Sequence, residues 1–202
     1  MNVDSPQAAR PLRDRLREET ARSILEAAEA VFVEEGLQAR MERIAARAGV
    51  AVGTLYNHFE HREGLVRALV CARRDALLAR VDAALASSAD RGVVEQLRAF
   101  LRAVAEHARE HGPLLSMLTQ AGEGPGSGHQ PTAVFTELAR RADAIASRGI
   151  AAGALRPDGA GVFGLALMGM ARAVLLRAME GTVDLRATLD ALLDLFLRGA
   201  RA

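Results

Sequence analysis

The sequence is poor in cysteine, in aromatic residues and in long apolar runs, and it has no lysine and no tryptophan. Its single cysteine, Cys71, excludes an internal disulfide and is compatible with a reducing compartment. The longest apolar run, Val162 to Ala171, has about half the length that a membrane-spanning helix needs, and the N-terminus has no apolar signal core. These absences predict a cytoplasmic protein with no membrane partner. We expect Cys71 to be a small buried apolar residue rather than a redox sensor.

Aromatic residues make up only 3% of the chain, and valine and isoleucine are too scattered to give the alternation of a β-strand. Alanine, leucine, arginine and glutamate dominate, and all four are good helix formers. Apolar residues recur with helical spacing in nine segments between Thr20, a plausible N-cap, and Leu197. We therefore expect an all-α protein, which at 202 residues is long enough for one large domain or two small ones.

The charge balance does not indicate a nucleic-acid-binding protein. The net charge is +1, and the segment 1–65 has nine arginines against eleven acidic residues. An argument for DNA binding must therefore depend on where the charges lie, not on their sum. One local feature does point that way: residues 1–19 contain Arg10 and three further arginines among polar residues. They are expected to form a flexible basic arm that either reaches the DNA backbone or is only a solvated tail.

Residues 40–59 have the pattern of two short helices joined by a tight turn. Gly49 permits the left-handed backbone that a sharp turn requires, and Ala45 and Ala48 are small enough for a second helix to cross close by. That helix is expected over 52–58, with Leu55 facing inward. This is the geometry that places a helix in the DNA major groove.

The outward positions of this helix have side chains suited to DNA. Asn57 can read adenine, and the Thr54 methyl group can meet a thymine methyl. Tyr56 can donate its hydroxyl to a phosphate, and Arg62 follows where it can pair with another. From pattern alone, an ordinary helical hairpin in a bundle fits equally well. The DNA-contacting residues predicted from this pattern are Thr54, Tyr56, Asn57, His58 and Arg62.

The stretch from Thr20 to Leu65 resembles the DNA-binding domain of the TetR/AcrR family of bacterial transcriptional repressors. The resemblance is carried by Ile44-Ala45, Ala48-Gly49-Val50, Gly53-Thr54-Leu55-Tyr56, Phe59 and Leu65. It implies a nine-helix, two-domain homodimer, and it adds Arg40, Val52 and Gly53 to the predicted DNA-contacting residues. The basic arm (1–19) would precede a helix-turn-helix domain (20–65), and the remainder (66–202) would bind a ligand and dimerise through the last two helices.

Two departures from the family pattern affect the expected contact with the DNA backbone. Arg40 lies where a serine or threonine usually caps the second helix and contacts phosphate, and the loss of such a cap costs about 1 kcal/mol. Ala51 and Val52 replace the common Ser-Lys at the start of the third helix, which removes another cap and a cation. We expect weaker sequence-independent affinity, partly offset by Arg40, Arg62 and the arm.

The resemblance implies a regulator that binds a pseudo-palindromic double-stranded operator and releases it when a small effector binds. Few polar residues lie on the inner faces expected for the C-terminal helices, so the effector is expected to be hydrophobic. Its candidate pocket residues are Phe100, Met117, Phe135, Met168 and Met170. Plain core packing explains the same residues equally well. We assign no cofactor.

One motif supports an alternative function, an all-α metal-dependent enzyme. His107, Glu110 and His111 match the H-x-x-E-H pattern of a group of zinc proteases, and the two histidines lie one helical turn apart. Gly112-Pro113 is expected to end the helix there, where a cation is favoured by the helix dipole alone. No third metal ligand is evident, so an enzyme is the weaker interpretation.

Overall fold

The computed structural model describes residues 11–120, 131–179 and 183–200. Within these ranges the chain contains α-helices and one 3₁₀ turn at Pro157–Gly159, and no β-strand, which confirms the predicted all-α class. It divides into an N-terminal unit that ends at Leu69 and a C-terminal unit that begins at Val70. The helices are α1 (Leu12–Glu35), α2 (Met41–Ala48), α3 (Val52–His58), α4 (Arg62–Ser87), α5 (Val93–Gln120), α6 (Pro131–Ala151), α7 (Phe163–Met179) and α8 (Leu185–Ala200).

The described residues form eight α-helices, not the nine predicted. The difference lies at Gly112-Pro113, which was expected to end a helix but lies inside α5. Proline removes one backbone N–H and crowds the preceding turn, and a glycine before it relieves part of that crowding because it has no Cβ. The next turn buries Leu114 and Leu118 completely, and this packing outweighs the local preference for a break.

The first helix begins eight residues before the predicted N-cap, Thr20, at Leu12. Residues 12–19 are therefore helical and not part of a flexible arm, whereas residues 1–10 of the predicted arm, including Arg10, lie outside the described residues. Thr20 is inside the helix, where its hydroxyl donates to the Leu16 carbonyl at 2.8 Å. The early start escaped detection because every side chain from 12 to 19 is exposed, so no apolar periodicity marks that part of the helix.

Apolar residues of the first three helices form the core of the N-terminal unit. Its fully buried members include Ile24, Phe32, Ile44 and Leu55. Helix α1 ends at Gly36, whose φ of +87° favours glycine and whose N–H donates to the Phe32 carbonyl at 2.9 Å. Helix α1 packs against α2, and α2 packs against α3, so the two short helices are held on one side of the long one.

Helices α5 to α8 and the later part of α4 enclose the core of the C-terminal unit, which includes Phe100, Leu138, Leu167 and Leu193. Ion pairs reinforce the periphery of this core. The Arg141 guanidinium donates to both carboxylate oxygens of Asp82 at 2.7 and 2.9 Å. Arg80 pairs in the same way with Glu110, and Arg140 with Glu137, so these arginines are neutralised within the unit.

The structure bears on two sequence-based expectations, the burial of Cys71 and the lack of a membrane-spanning helix. Cys71 is exposed, so the prediction of a buried cysteine was wrong. The reason is helical periodicity, since Leu69 is fully buried and a residue two positions further lies on the opposite face of α4. None of the helices in the described ranges is both long and apolar enough to cross a membrane.

Helices α6 and α7 lie close together at Gly164. A Cβ on this residue would lie 2.3 Å from the Ala139 carbonyl oxygen and 2.8 Å from the Asp143 backbone nitrogen. The Gly164 N–H donates to the Asp143 carboxylate at 2.7 Å, which fixes the start of α7 on the side of α6. The position therefore requires glycine for space, although its backbone conformation is ordinary.

We predict that Gly164→Ala destabilises the C-terminal unit by about 2 kcal/mol or more, because the new methyl group would collide with backbone atoms that have no room to move. Gly169→Ala is the matched control. No atom lies within 4 Å of a Cβ built at Gly169, so this change should stabilise α7 by roughly 0.5–1 kcal/mol. Urea unfolding followed by circular dichroism measures both, and equal effects would contradict the close approach.

Candidate nucleic-acid interface

A tight turn joins α2 to α3 and sets the angle between them. Gly49 has a φ of +70°, in the left-handed region, and the Val50 N–H closes the turn on the Ala45 carbonyl at 3.0 Å. This is the turn predicted from the sequence, with α3 over the predicted residues 52–58. Ala45 and Leu55 are completely buried, so the short third helix is anchored through its inner side.

The opposite side of α3 faces solvent. Val52 and Tyr56 are 37% and 43% exposed, and Gly53 and Asn57 are exposed as well. The remaining two predicted contact residues of α3, Thr54 and His58, are half-buried. All six lie on a helix whose first turn has no side-chain cap, as expected from Ala51. The structure thus presents these side chains together, and their contacts with DNA stay a prediction.

Two arginines of α2 are neutralised by acidic residues at the end of α1. The Arg43 guanidinium donates to the Glu35 carboxylate at 2.9 and 2.7 Å, and Arg47 donates to Glu34 at 2.8 Å. Sequence reasoning missed both pairs. Their signal was available, because Arg43 and Arg47 are four residues apart on one helical face and Glu34-Glu35 end the preceding helix.

Arg62, predicted to pair with phosphate, is used within the N-terminal unit. At the first turn of α4, its Nη1 donates to the Leu37 carbonyl and its Nη2 donates to the Gln38 side-chain oxygen at 2.9 Å. The half-buried guanidinium therefore ties the start of α4 to the loop between α1 and α2. A phosphate contact by Arg62 stays a prediction and would have to coexist with these bonds.

Arg40 stands at the N-terminus of α2 and is exposed. As expected, it provides no side-chain cap for the helix. Among the described residues its side chain has no hydrogen bond or ion pair, in contrast to those of Arg43, Arg47 and Arg62. Its guanidinium is therefore available to an external anion.

The geometry of this unit agrees with the comparison of the chain with known protein families. Residues 24–69 match the model of the bacterial regulatory proteins of the tetR family. These residues include the buried face of α1, all of α2 and α3, and the first turns of α4. The match identifies the N-terminal unit as a helix-turn-helix DNA-binding domain of the tetR type.

Solved structures share the fold along nearly the whole chain. A transcriptional regulator from Cytophaga hutchinsonii superposes with a TM-score of 0.74 at 18% identity, over 89% of this chain and 97% of the other. A TetR-family regulator from Haemophilus influenzae gives 0.63 at 18% identity, over 93% and 100%. The complex of SmeT with triclosan gives 0.64 at 24% identity, over 91% and 92%. No curated protein sequence matches the chain significantly.

The five predicted effector-pocket residues lie in different environments. Phe100 is completely buried in the core of the C-terminal unit, and Met117 and Met170 are half-buried. Phe135 and Met168 do come together, in a cleft between α6 and α7. Their function in ligand binding stays a prediction, and the structure gives the two groups different environments.

The residues of the alternative enzyme site lie between α4 and α5. Arg80 donates to both oxygens of Glu110 at 3.0 and 2.6 Å, so this carboxylate is engaged by a cation. The rings of His107 and His111 are 4.6 Å apart, centroid to centroid. Over the described part of the chain, no group of three or more histidine, cysteine or acidic residues is arranged to hold a metal ion.

His107 is only 4% exposed. Burial, as the main cause, and the nearby His111 and Arg80 together lower the pKa of His107 to about 4, against an opposing effect of Glu110. The histidine is therefore neutral in the folded protein at physiological pH. Its place in the packing between two helices makes it a structural residue whose protonation opposes folding.

We predict that the bonds of Arg62 stabilise the loop between α1 and α2. Arg62→Ala should raise the rate of amide hydrogen exchange around Ala39, corresponding to about 1–2 kcal/mol of local stability, because two acceptors lose a charged donor. Arg67→Ala is the matched control, since Arg67 is an exposed arginine on the same helix. Equal exchange in both variants would show that the bonds of Arg62 contribute nothing.

We also predict that His107 makes stability depend on pH. The ordinary pKa of 6.5 falls to about 4 on folding, so the unfolded chain binds the extra proton between these values. Stability should therefore be complete above pH 6.5 and decrease as the pH falls towards 4, by about 3 kcal/mol in total. Unfolding of the protein and of His107→Gln across this range measures the difference.

The control for this experiment is His61→Gln, because His61 is exposed. This variant should retain the pH profile of the unsubstituted protein, whereas His107→Gln should flatten it. If the profile of His107→Gln parallels that of the unsubstituted protein between pH 7 and 4, the histidine is not the group responsible.

Proposed function

We propose that this protein is a ligand-responsive repressor of the TetR family, acting in the cytoplasm, that binds a pseudo-palindromic operator as a homodimer. In this proposal α3 of each subunit enters the major groove, and the two recognition helices lie about 34–36 Å apart. An effector bound by the C-terminal unit favours a conformation with another spacing, and the operator is released. Such release requires that the effector bind the two conformations with different affinity.

The observation that carries the proposal is the division of α3 into a buried side and a polar exposed side. Leu55 is completely buried, whereas Asn57 and Tyr56 face solvent in the same helix. A seven-residue helix fixed in this way presents its outer side chains without the cost of ordering its backbone at binding. We assign base contacts to Thr54, Asn57 and His58, and backbone contacts to Val52, Gly53 and Tyr56.

Arg40 is the proposed anchor on the phosphate backbone. It is exposed at the first turn of α2, and the described residues offer it no partner, so binding a phosphate would not require an existing ion pair to break. A guanidinium is also well suited to this task, since its parallel N–H groups match two phosphate oxygens. Arg62 keeps its bonds with the loop between α1 and α2. We assign it a contact with the DNA backbone only in addition to these bonds.

Exposed leucines on the last two helices support the homodimer. Leu165 and Leu176 of α7 are 67% and 49% exposed, and Leu195 of α8 is 69% exposed. Large apolar side chains concentrated on neighbouring helices are typical of a surface that another protein covers. A second copy of the chain, brought against α7 and α8, would bury them and pair the two DNA-binding units.

The C-terminal unit is the proposed effector-binding unit. The structure of SmeT, a protein of the same fold, contains triclosan, which supports a small-molecule ligand for this chain. We propose no catalytic activity. The carboxylate that a metal-dependent enzyme would need, Glu110, is held by Arg80, and His107 is packed between helices.

The test is a mobility-shift assay on DNA upstream of the gene of this protein, followed by a salt titration. The protein should shift the DNA at low salt with two chains per operator. Arg40→Ala should weaken binding and reduce the slope of log affinity against log salt by about 1, because one phosphate contact is lost. Asn57→Ala should weaken operator binding about tenfold or more but leave binding to unrelated DNA unchanged.

Arg91→Ala is the matched control for Arg40→Ala, because Arg91 is exposed and belongs to the C-terminal unit. It should leave the slope unchanged. A folded protein that does not shift the DNA at low salt would refute the repressor proposal. A slope that Arg40→Ala does not alter would refute the phosphate contact.

A further inference from the structure

The turn of α5 around His107 lies beside α4 among mostly basic groups. His107 is buried, and the charged groups that act on its ring are Arg73 and Arg80 of α4 and Glu110 and His111 of α5. The His111 ring lies 4.6 Å from that of His107, centroid to centroid. Glu110 is the only acid among these four groups, so the surroundings of the ring favour its neutral form.

The Glu110 carboxylate is not free to neutralise a protonated His107. Arg80 donates to both of its oxygens, at 3.0 and 2.6 Å, and this bond lowers the pKa of Glu110. A proton on His107 would therefore place a third cation beside an ion pair that is already complete. Burying a charge without a free partner is costly, so protonation favours any conformation in which the ring reaches water.

Helix α4 connects this site to DNA binding, because the one helix belongs to both units. Leu65 and Leu69 in its first turns are completely buried and belong to the N-terminal unit. Val81, next to Arg80, belongs to the core of the C-terminal unit. The first turn also contains Arg62, which donates to the loop between α1 and α2. Since a continuous helix is stiff, a displacement of α4 near Arg80 can be transmitted to the unit that presents α3.

We propose that the packing of His107 beside α4 is an acid-sensitive switch that weakens operator binding when the pH falls. In the neutral state the ring is buried, and the bond between Arg80 and Glu110 joins α4 to α5. A proton on the ring drives it towards water, α4 and α5 separate at this point, and the displaced α4 favours the conformation that releases DNA. The inference rests on the proposed function in one respect, that the protein binds an operator.

Proton linkage gives the size of the response. The pKa of His107 is about 4 when the ring is buried and has its ordinary value of 6.5 when the ring is in water. The conformation with the exposed ring therefore binds the proton more strongly, and acidification favours it. Between pH 7.5 and pH 5.5 the equilibrium between the two conformations should shift towards the exposed ring by about tenfold.

The first experiment follows α4 in the full chain without DNA. Cys71 is the only cysteine and is exposed on α4, so a pH-insensitive fluorophore that responds to its surroundings can be attached there. Its emission should change between pH 7.5 and pH 5.5. His107→Gln, which cannot take up the proton, should abolish the change, whereas the control His61→Gln, at an exposed histidine, should retain it.

Two results of this experiment would overturn the proposal directly, namely unchanged emission in the unsubstituted protein and a change that His107→Gln retains. Far-ultraviolet circular dichroism is recorded at both pH values. A loss of helix at pH 5.5 would show general unfolding in place of a switch, and would overturn the proposal as well.

The ion pair between Arg80 and Glu110 distinguishes a switch from a merely structural role. Arg80→Gln removes a cation and leaves Glu110 free to neutralise a protonated His107 in the buried state, so the response to acid should fall well below tenfold. Glu110→Gln removes the only acid and leaves the ring without a partner, so the response should stay at about tenfold. Both variants break the same ion pair, and equal responses in the two would overturn the proposal.

A second measurement separates this inference from the proposed function. Between pH 7.5 and pH 5.5, operator affinity should fall by up to about tenfold more in the unsubstituted protein than in His107→Gln. The comparison cancels the titration of His58, which both proteins share. Equal changes in the two proteins would overturn the effect of the switch on DNA binding. A protein that binds no operator at pH 7.5 would refute the proposed function, whereas the emission without DNA still decides whether His107 moves α4.

Discussion

The burial of Leu55 is the interaction on which the DNA-binding unit depends. A seven-residue helix is too short to be stable alone, and α3 is held because its inner side packs on α2, which packs on α1. Gly49 makes this arrangement possible, since its positive φ lets the chain reverse within a few residues. The exposed side of α3 is then free of any structural task, and its polar residues are available for recognition.

In the DNA-binding unit, the position of each arginine decides whether an acidic residue neutralises its charge. Arg43 and Arg47 are paired with Glu35 and Glu34, and such exposed pairs contribute little stability. Their larger effect is on surface charge. The two arginines would otherwise attract any polyanion, and their acidic partners neutralise them. Arg40 is left as an unpaired cation beside the recognition helix. A chain with a net charge of +1 can in this way present local positive charge where a phosphate would lie.

The C-terminal unit separates a packed core from an apolar surface in a similar way. Phe100 and other apolar residues form the core, whereas Leu165, Leu176 and Leu195 lie exposed on the last two helices. Gly164 sets the spacing of α6 and α7, because a Cβ there would lie 2.3 Å from the Ala139 carbonyl oxygen. The surface proposed for contact with a second copy of the chain thus consists of side chains that the core leaves exposed.

The sequence by itself determined the helical class, the turn at Gly49, the limits of α3 and the family resemblance of the N-terminal unit. These features depend on local rules, namely helix propensity, the backbone freedom of glycine and the spacing of apolar residues. Local rules also explain the errors. They placed a break at Pro113, where the burial of Leu114 and Leu118 keeps α5 continuous, and they missed the start of α1, where no side chain is buried.

Only the tertiary structure decided which charged groups are available. The sequence treats Arg40, Arg62 and Arg172 alike, because each is an arginine in or beside a helix. Their different environments come from residues distant in sequence: Leu37 and Gln38 bind Arg62, the Phe135 ring lies under Arg172, and no described residue binds Arg40. Side-chain pairing of this kind depends on how helices pack, and no local pattern of residues contains that information.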